Sequence, residues 1–254
     1  MIALFTDFGP AGPYVGQMRA VLAREARGVP VIDLMCDAPA FDPRAAAYLL
    51  AALVPEMPPA TVVLGVVDPG VGGARQPLIV AAGAHWFVGP DNGLFAIAAR
   101  RAAAAGQDVR AWRIDWRPAR LSATFHGRDL FAPVAARLAC GRPPPGAPCD
   151  GTAMQGWAGG DEWPDDLDRI IYVDAYGNAM TGRRAATVAP GARLHVAGTV
   201  LSRARTFADV PPGTAFWYEN SIGLVEVAVH RGSAAAALGL RIGTPVRMVP
   251  APVR

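Results

Sequence analysis

The first half of the chain alternates short apolar runs with stretches of helical periodicity. The predicted elements are strands at residues 2–5, 31–34, 61–67, 79–81 and 85–88, and helices at residues 14–27, 44–53, 94–105 and 130–139. The run at 61–67 is almost wholly apolar, which is typical of a strand buried on both faces of a parallel sheet. Regular alternation of strands and helices predicts a layered α/β domain.

The pattern changes in the second half. Residues 141–164 contain a run of prolines, several glycines and few aliphatic residues, which is typical of a linker or a long surface loop. Beyond this stretch, short apolar segments between Gly, Pro and Asn turns predict strands at residues 170–173, 192–196, 216–218, 224–229 and 245–249. We therefore predict an N-terminal layered α/β catalytic domain at 1–145, a linker at 146–166 and a smaller C-terminal β-barrel domain at 167–254.

Composition narrows the chemistry. The chain has 254 residues, of which 52% are hydrophobic, and this is enough to bury a core in each of two domains. All 24 basic residues are arginine, so a Schiff-base lysine and a phosphate-loop lysine are both excluded. The net charge is +3, but the arginines are scattered and form no basic helix or stripe, so we predict no nucleic-acid partner.

Cysteine usage and the N-terminus bear on location. Cys36, Cys140 and Cys149 form no Cys-x-x-Cys pair, which favours idle thiols in a reduced cytoplasm. The N-terminus meets an acidic residue at position 7 without a basic segment before it, so it is interpreted as a first strand, not as a signal peptide. No apolar run approaches the roughly 18 residues that span a bilayer. We expect a soluble cytoplasmic protein with no membrane partner.

Polar motifs recur where predicted strands end. They are TDFG at 6–9, DPGVG at 68–72, GPDNG at 89–93, FHGRD at 125–129 and DAYGN at 174–178. Ligands of open α/β sheets bind at the carboxyl ends of strands, where Asp7 and Asp68 are both expected. Asp and Gly also form turns and helix caps, and for any one motif that explanation competes.

Three of these polar residues suggest a reactive group. Asp68 follows the most hydrophobic strand, and a partly desolvated carboxylate there needs a cationic partner, which Arg75 can provide. His126 lies in a glycine-flanked turn beside further polar side chains. Asp68, Asp91, His126 and Asp129 have the donor types of a metal site, but no compact ligand cluster is visible. A serine hydrolase is disfavoured because no G-x-S-x-G elbow is present.

Together, the motifs TDFG, DPGVGGAR, GPDNGLF, FHGRDLFAPVAA, DAYGN and NSIGLVEVAVHRGSAA resemble the S-adenosylmethionine hydroxide adenosyltransferases. This family is also called the S-adenosyl-L-methionine hydrolases (adenosine-forming) and is related to fluorinase and chlorinase. The resemblance covers nearly the whole chain. It departs at residues 11–13, where Ala-Gly-Pro replaces a polar residue often found in the family.

The resemblance implies a function and a set of site residues. It implies hydrolysis of S-adenosyl-L-methionine to adenosine and L-methionine in a homotrimer with sites at subunit interfaces, without a metal or cofactor. The implied catalytic residues are Asp68, Arg75 and His126, and Asp7 would hold the ribose hydroxyls. The other implied binding residues are Asp174, Asn178, Tyr218, Ser221, Glu226 and the backbone at Val229.

The implied reaction is a nucleophilic substitution. The sulfonium makes methionine a good leaving group, so the task of the site is to hold water or hydroxide in line with the C5′–S bond. Three alternatives stay open: a halogenase of the same family, a nucleoside-binding sensor without turnover, and a metal-dependent hydrolase. The halogenases lack the Asp, Arg and His set and carry an extra loop, neither of which matches this chain.

Overall fold

The computed structural model describes residues 1–149 and 163–250. The chain divides into two compact units, Met1–Trp163 and Pro164–Arg254. Among the described residues, none of the helices combines the length and apolar character that crossing a bilayer requires.

The first unit is built on a seven-stranded mixed sheet of order β2-β1-β3-β5-β4-β6-β7. The strands are β1 Ile2–Thr6, β2 Val31–Met35, β3 Val62–Val66, β4 Pro77–Ala82, β5 His85–Pro90, β6 Val109–Ile114 and β7 Gly146–Cys149. The helices are α1 Tyr14–Glu25, α2 Pro43–Leu53, α3 Ala96–Ala104 and α4 Ala132–Ala139. Strands β2, β1, β3 and β5 are mutually parallel, whereas β4, β6 and β7 are antiparallel to their neighbours.

Helices cover this sheet in two pairs. Helix α1 packs on α4 and α2 packs on α3. Every residue of β1 and β3 is buried, and for β3 this is what its almost wholly apolar sequence predicts for a strand covered on both faces. Ile2 and Leu4 share a core with α1 and α4, and the alternation of a strand turns Ala3 and Phe5 to the opposite face. The layered α/β architecture predicted from the sequence is confirmed.

Two strands of this unit were not predicted. β6 follows α3, and β7 pairs with it at the sheet edge. β7 falls at the start of residues 146–166, which the sequence assigned to a linker, because a Gly-Ala-Pro-Cys segment has no periodicity of its own. Residues 150–162 of that segment lie outside the described residues.

The second unit is a small β-structure. Its strands are β8 Leu167–Val173, β9 Ala179–Arg184, β10 Arg193–Val196, β11 Thr199–Leu201, β12 Ala215–Glu219, β13 Leu224–Val229 and β14 Val246–Val249, with one short helix, α5 Ala234–Leu238. They form a four-stranded sheet of order β12-β13-β9-β8 and a three-stranded sheet of order β11-β10-β14, each antiparallel throughout. Bridges between Arg169 and Pro245 and between Arg203 and Trp217 join the two sheets at both edges, so the strands close into a barrel.

Candidate active site

The carboxyl ends of adjacent parallel strands gather three polar side chains of the first unit. Asp7 follows β1, Asp68 comes two residues after β3, and Asn92 comes two residues after β5. The Asn92 side-chain amide donates to the carbonyl of Val67 at 2.8 Å, which ties the turn after β5 to the turn after β3. This edge is where open α/β sheets bind ligands.

Asp68 and Arg75 form a buried ion pair at this edge. Nε of Arg75 donates to Oδ1 and Oδ2 of Asp68 at 2.9 and 3.0 Å, and Nη2 also contacts Oδ2. The side chains are only 4% and 9% exposed for Asp68 and Arg75, respectively. The guanidinium lies over the ring of Phe131, with its carbon 5.2 Å from the ring centre. Because both side chains are buried and joined by several hydrogen bonds, their relative orientation is fixed.

His126 completes this cluster. Nη2 of Arg75 lies 2.9 Å from Nδ1 of His126. A guanidinium has no acceptor, so Nδ1 must accept, and the proton of the neutral imidazole then resides on Nε2. Burial and the adjacent Arg75 charge lower the pKa of His126, in agreement with a neutral ring. The cluster therefore presents an Nε2–H donor, not a free basic nitrogen.

Local backbone features bring these three residues together. Gly72 has φ +78°, and a Cβ at this position would lie 2.6 Å from the carbonyl oxygen of Ala123. Only glycine allows the loop between Asp68 and Arg75 to pack this closely on the segment before His126. His126 itself precedes a π-helical turn, Gly127–Phe131, that leads into α4. Such turns are rare and often occur at functional sites.

The segment around His126 is also held from its other side. Arg128 pairs with Asp129 through two contacts of 2.6 and 2.9 Å and reaches Gln17 of α1 at 2.8 Å. Asp129 in turn accepts from the backbone N–H of Ser122 at 2.8 Å. Asp129 is thus engaged in shaping the loop that carries His126. No group of three or more His, Cys, Asp or Glu side chains within residues 1–149 and 163–250 is placed to hold a metal ion.

Asp7 lies near this cluster, with aromatic residues around it. Its Oδ2 accepts from the backbone N–H of Phe41 at 3.1 Å. Burial, assisted by the charge of Asp68, raises the pKa of Asp7. Phe41 is 79% exposed and has φ 59°, an unusual conformation for a phenylalanine. Sequence reasoning missed Phe41, because its position in a loop gives no periodic signal.

Three further rings line the same region. Phe8, Tyr14 and Phe125 contact one another with ring centres 5.4 to 5.8 Å apart. Phe8 follows Asp7 directly, Phe125 precedes His126, and Tyr14 is half exposed. Phe8 and Phe125 thus place flat apolar rings on the same segments as Asp7 and His126, and Phe41 adds an exposed ring on the segment that binds Asp7. Such surroundings suit a ligand with a sugar and an aromatic base.

The other residues implied by the resemblance lie in the second unit. Asp174 folds back on its own turn, accepting from the backbone N–H groups of Tyr176 and Asn178 and from the Asn178 side chain. Glu226 accepts from Tyr218 and Asn220. Ser221 is exposed in the turn between β12 and β13. Val229 is buried at the end of β13, and its carbonyl accepts from Gly232 at 3.1 Å.

Comparisons with known proteins match this chain throughout. Residues 2–147 match the SAM hydroxide adenosyltransferase N-terminal domain, and residues 168–247 match the C-terminal domain of the same family. A relative from Thermus thermophilus named (R)-S-adenosyl-L-methionine hydrolase is 43% identical over 98% of this chain and 99% of its own length. One of the same name from Salinispora arenicola is 41% identical over 97% of each chain.

Solved structures agree with this match. A conserved protein from Thermotoga maritima, described as uncharacterized, superposes with a TM-score of 0.85 at 28% identity over 98% of this chain and all of its own. A conserved hypothetical protein from Thermus thermophilus superposes with a TM-score of 0.75 at 39% identity, covering 98% of this chain and 99% of its own.

Proposed function

This chain belongs to the SAM hydroxide adenosyltransferase family, and we propose that it hydrolyses S-adenosyl-L-methionine to adenosine and L-methionine. The observation that supports this most directly is the cluster of Asp68, Arg75 and His126, in which His126 lies 51 residues beyond Arg75 in sequence. Relatives that match over nearly their full length are named for the (R) form of the substrate. The sulfonium sulfur is pyramidal, and we propose that this chain also prefers its (R) configuration.

The cluster has the chemistry that the nucleophile needs. Water is a weak nucleophile, whereas C5′ of the ribose is already activated by the sulfonium. His126 offers Nε2–H, and Nη1 of Arg75 has no partner among the described residues, so both can donate to the oxygen of a bound hydroxide. Nearby positive charge favours ionisation of a bound water, whose proton leaves to solvent. Asp68 holds the guanidinium in place and balances its charge.

Bond making and breaking then balance without a redox step. The hydroxide oxygen bonds to C5′, and the C5′–S electron pair passes to sulfur, which leaves as the neutral thioether of methionine. Holding the oxygen and the carbon in line supplies several kcal/mol by proximity, on the order seen in intramolecular reactions. We propose that no metal or organic cofactor takes part.

The binding roles follow from chemistry and from the family resemblance. Asp7 is proposed to accept from the ribose hydroxyls, with Phe41 beside it. Asn178, Ser221 and the backbone at Val229 are proposed to contact the nucleoside or methionine portions, and Asp174 to pair with the methionine ammonium. Tyr218 is proposed near adenine, where the resemblance also implies Glu226.

The assembly proposed from the resemblance is a homotrimer with sites at subunit interfaces. Light scattering coupled to size-exclusion chromatography tests it, and a monomer at micromolar concentration would contradict it. The cytoplasmic location stays a prediction from the sequence.

The experiment that tests the function follows product formation from each sulfonium epimer of S-adenosyl-L-methionine. We expect adenosine and L-methionine in equal amounts, faster from the (R) epimer. In water enriched in ¹⁸O, the label should enter the 5′-hydroxyl of adenosine, because the oxygen attacks C5′. A chelator should leave the rate unchanged.

The alternatives give different results. A 5′-halo-adenosine product that depends on chloride or fluoride would indicate a halogenase, and chelator sensitivity would indicate a metal-dependent hydrolase. Tight adenosine binding with intact substrate after long incubation would indicate a sensor. Any of these outcomes would replace the proposed activity.

A further inference from the structure

A buried polar network in the second unit links two strands to a turn. Glu226 of β13 is 2% exposed. Its Oε1 accepts from the Tyr218 hydroxyl at 2.6 Å, and its Oε2 accepts from the Asn220 side-chain amide at 2.7 Å. Both oxygens of this carboxylate are therefore engaged by neighbouring side chains, and little surface is left for a ligand.

Asn220 passes this constraint on to the backbone. Its Oδ1 accepts from the N–H groups of Ile222 and Leu224 at 3.1 and 2.9 Å. A side-chain amide has one donor end and one acceptor end, so its orientation decides which groups it can satisfy. Because the NH2 group of Asn220 donates to Glu226, its oxygen must face the two backbone N–H groups. If the amide were rotated by half a turn, its NH2 group would face the two backbone N–H groups and its oxygen would face the Glu226 carboxylate. Both contacts would then be unfavourable.

The turn that Asn220 organises carries Ser221. Backbone bonds of 2.9 and 3.0 Å, from Asn220 N–H to the Leu224 carbonyl and from Gly223 N–H to the Asn220 carbonyl, close the turn. Gly223 has φ +77°, a conformation that favours glycine. Ser221 is exposed, whereas Asn220 is buried beneath it. The position of the Ser221 hydroxyl thus depends on the side chain of Asn220.

We propose that Glu226 is a positioning residue for substrate binding: it fixes the Asn220 amide and, through it, the turn that presents Ser221, without touching the substrate. This inference rests on the proposed function, in which Ser221 contacts the substrate. It differs from the role that the resemblance implies for Glu226, which is a contact around adenine. Burial and saturation of both carboxylate oxygens support the positioning role over direct contact.

Kinetics with three variants test the proposal. Glu226→Leu removes the acceptor and should raise KM by roughly tenfold while changing kcat much less, because the reacting atoms are not involved. Glu226→Gln should stay near wild type, since its carbonyl can accept from Asn220 while its amide donates to the Tyr218 hydroxyl oxygen. Glu219→Gln is the matched control, because it changes an exposed carboxylate in the neighbouring strand β12 and should leave both constants unchanged.

A double-mutant cycle tests whether Glu226 acts through Ser221. Ser221→Ala alone should raise KM, and adding Glu226→Leu to it should raise KM little further. Fully additive effects would show that Glu226 acts by another route and would overturn the proposal. A fall in kcat with KM unchanged would overturn it as well.

Hydrogen exchange gives a readout that does not depend on turnover. In the unliganded full-length protein, Glu226→Leu should speed exchange of the Ile222 and Leu224 amides, whereas Glu226→Gln should not. An inactive wild type would refute the proposed function and leave this exchange result standing on its own. Normal wild-type hydrolysis with unchanged exchange in Glu226→Leu would refute the positioning role alone.

A second variant covers the case in which Glu226→Leu fails to fold. Asn220→Asp is isosteric and keeps the acceptor that the two backbone amides use, but it places a second carboxylate against Glu226. Besides this introduced carboxyl, Tyr218 and Asp174 are the titratable groups near Glu226. We expect a raised KM at neutral pH that recovers as the pH falls and the two carboxyls share a proton. An unchanged KM across this pH range would overturn the proposal.

Discussion

Two buried carboxylates, one in each unit, have different kinds of hydrogen-bond partner. Asp68 in the first unit is paired with a cation through a two-pronged contact. Glu226 in the second unit has only a phenol hydroxyl and an amide as partners. Both carboxylates have their oxygens occupied, so hydrogen-bond satisfaction does not distinguish them. What differs is the balance of charge around each.

This difference in charge separates a reactive site from a structural one. Arg75 neutralises Asp68 and still contacts His126, so the cluster keeps hydrogen-bond donors that can bind a nucleophile. Glu226 has no ion-pair partner among the described residues, and burial raises its pKa. A buried carboxylate with neutral donors fixes orientation but has no cation that could attract an anion. The comparison predicts that changes at the first cluster reduce turnover, whereas changes at the second reduce substrate affinity.

The largest effect is expected from Arg75→Met. It leaves Asp68 buried and unpaired and removes the donor to His126, so turnover should fall by roughly 10³-fold. Stability should fall by about 3–5 kcal/mol, measured by urea unfolding. Arg75→Lys should not rescue turnover, because one ammonium cannot reproduce the fork. Arg19→Met, which breaks an exposed ion pair with Asp33 in the same unit, is the control. Comparable turnover in Arg75→Lys and wild type would contradict the conclusion that the reaction needs the several hydrogen bonds of the guanidinium.

A smaller loss in turnover tests the assignment of His126 as a hydrogen-bond donor. With Nδ1 accepting from Arg75, His126 acts as a donor through Nε2, and glutamine can place an amide N–H near that position. Turnover should fall by roughly 10²-fold in His126→Ala and by about tenfold in His126→Gln. Equal losses in the two variants would instead indicate that the ring serves as a base. Single-turnover measurement of adenosine release distinguishes the two results.

Packing of the loop between Asp68 and Arg75 is the next test. Gly72→Ala brings a Cβ against the Ala123 carbonyl in a left-handed conformation, and we expect about 1–3 kcal/mol of destabilisation with roughly tenfold slower turnover. Gly28→Ala is a matched control, because Gly28 has φ +80° but open space around its Cβ position. It should be destabilised by about 1 kcal/mol and keep full activity. Equal activity losses in both would show that the close approach to Ala123 is unimportant.

Sequence reasoning predicted the architecture of the first unit well, because β3 is an almost uninterrupted apolar run and α2 lies in a segment of helical periodicity. It missed β6, in which arginines interrupt the apolar residues, and the four-residue edge strand β7, and both are defined by pairing with neighbouring strands. Strands β9 and β11 of the second unit were missed for the same reason. Tertiary pairing, which local propensity does not encode, decides such strands.

The candidate site was only partly accessible from sequence. Arg75 and His126 are 51 residues apart, so motif resemblance, not spacing, grouped them. The tautomer of His126 and the exposure of Phe41 depend on geometry that no motif states. The saturation of Glu226 likewise follows from which side chains face it across β12 and β13. Sequence identified the chemical groups, and the structure assigns the hydrogen bonds that limit what each can do.

The smallest expected effect concerns the pH dependence of stability at Glu226. Burial raises its pKa above the ordinary 4.5, while Tyr218 and Asn220 act against this shift and the charge of Asp174 adds to it. Between the ordinary value and the raised one, the folded protein binds this proton more tightly than the unfolded chain. The contribution of Glu226 to stability is therefore present below pH 4.5 and is lost as the pH rises through its folded pKa.

Glu226→Gln cannot titrate, so the free energy of unfolding of wild type should decline relative to this variant across that window and run parallel above it. Urea unfolding at a series of pH values measures the difference, with Glu219→Gln as the control for the loss of one carboxyl from the unit. A wild-type curve parallel to that of Glu226→Gln throughout would mean that burial does not raise the pKa of Glu226, and the contrast between the two carboxylates would fail.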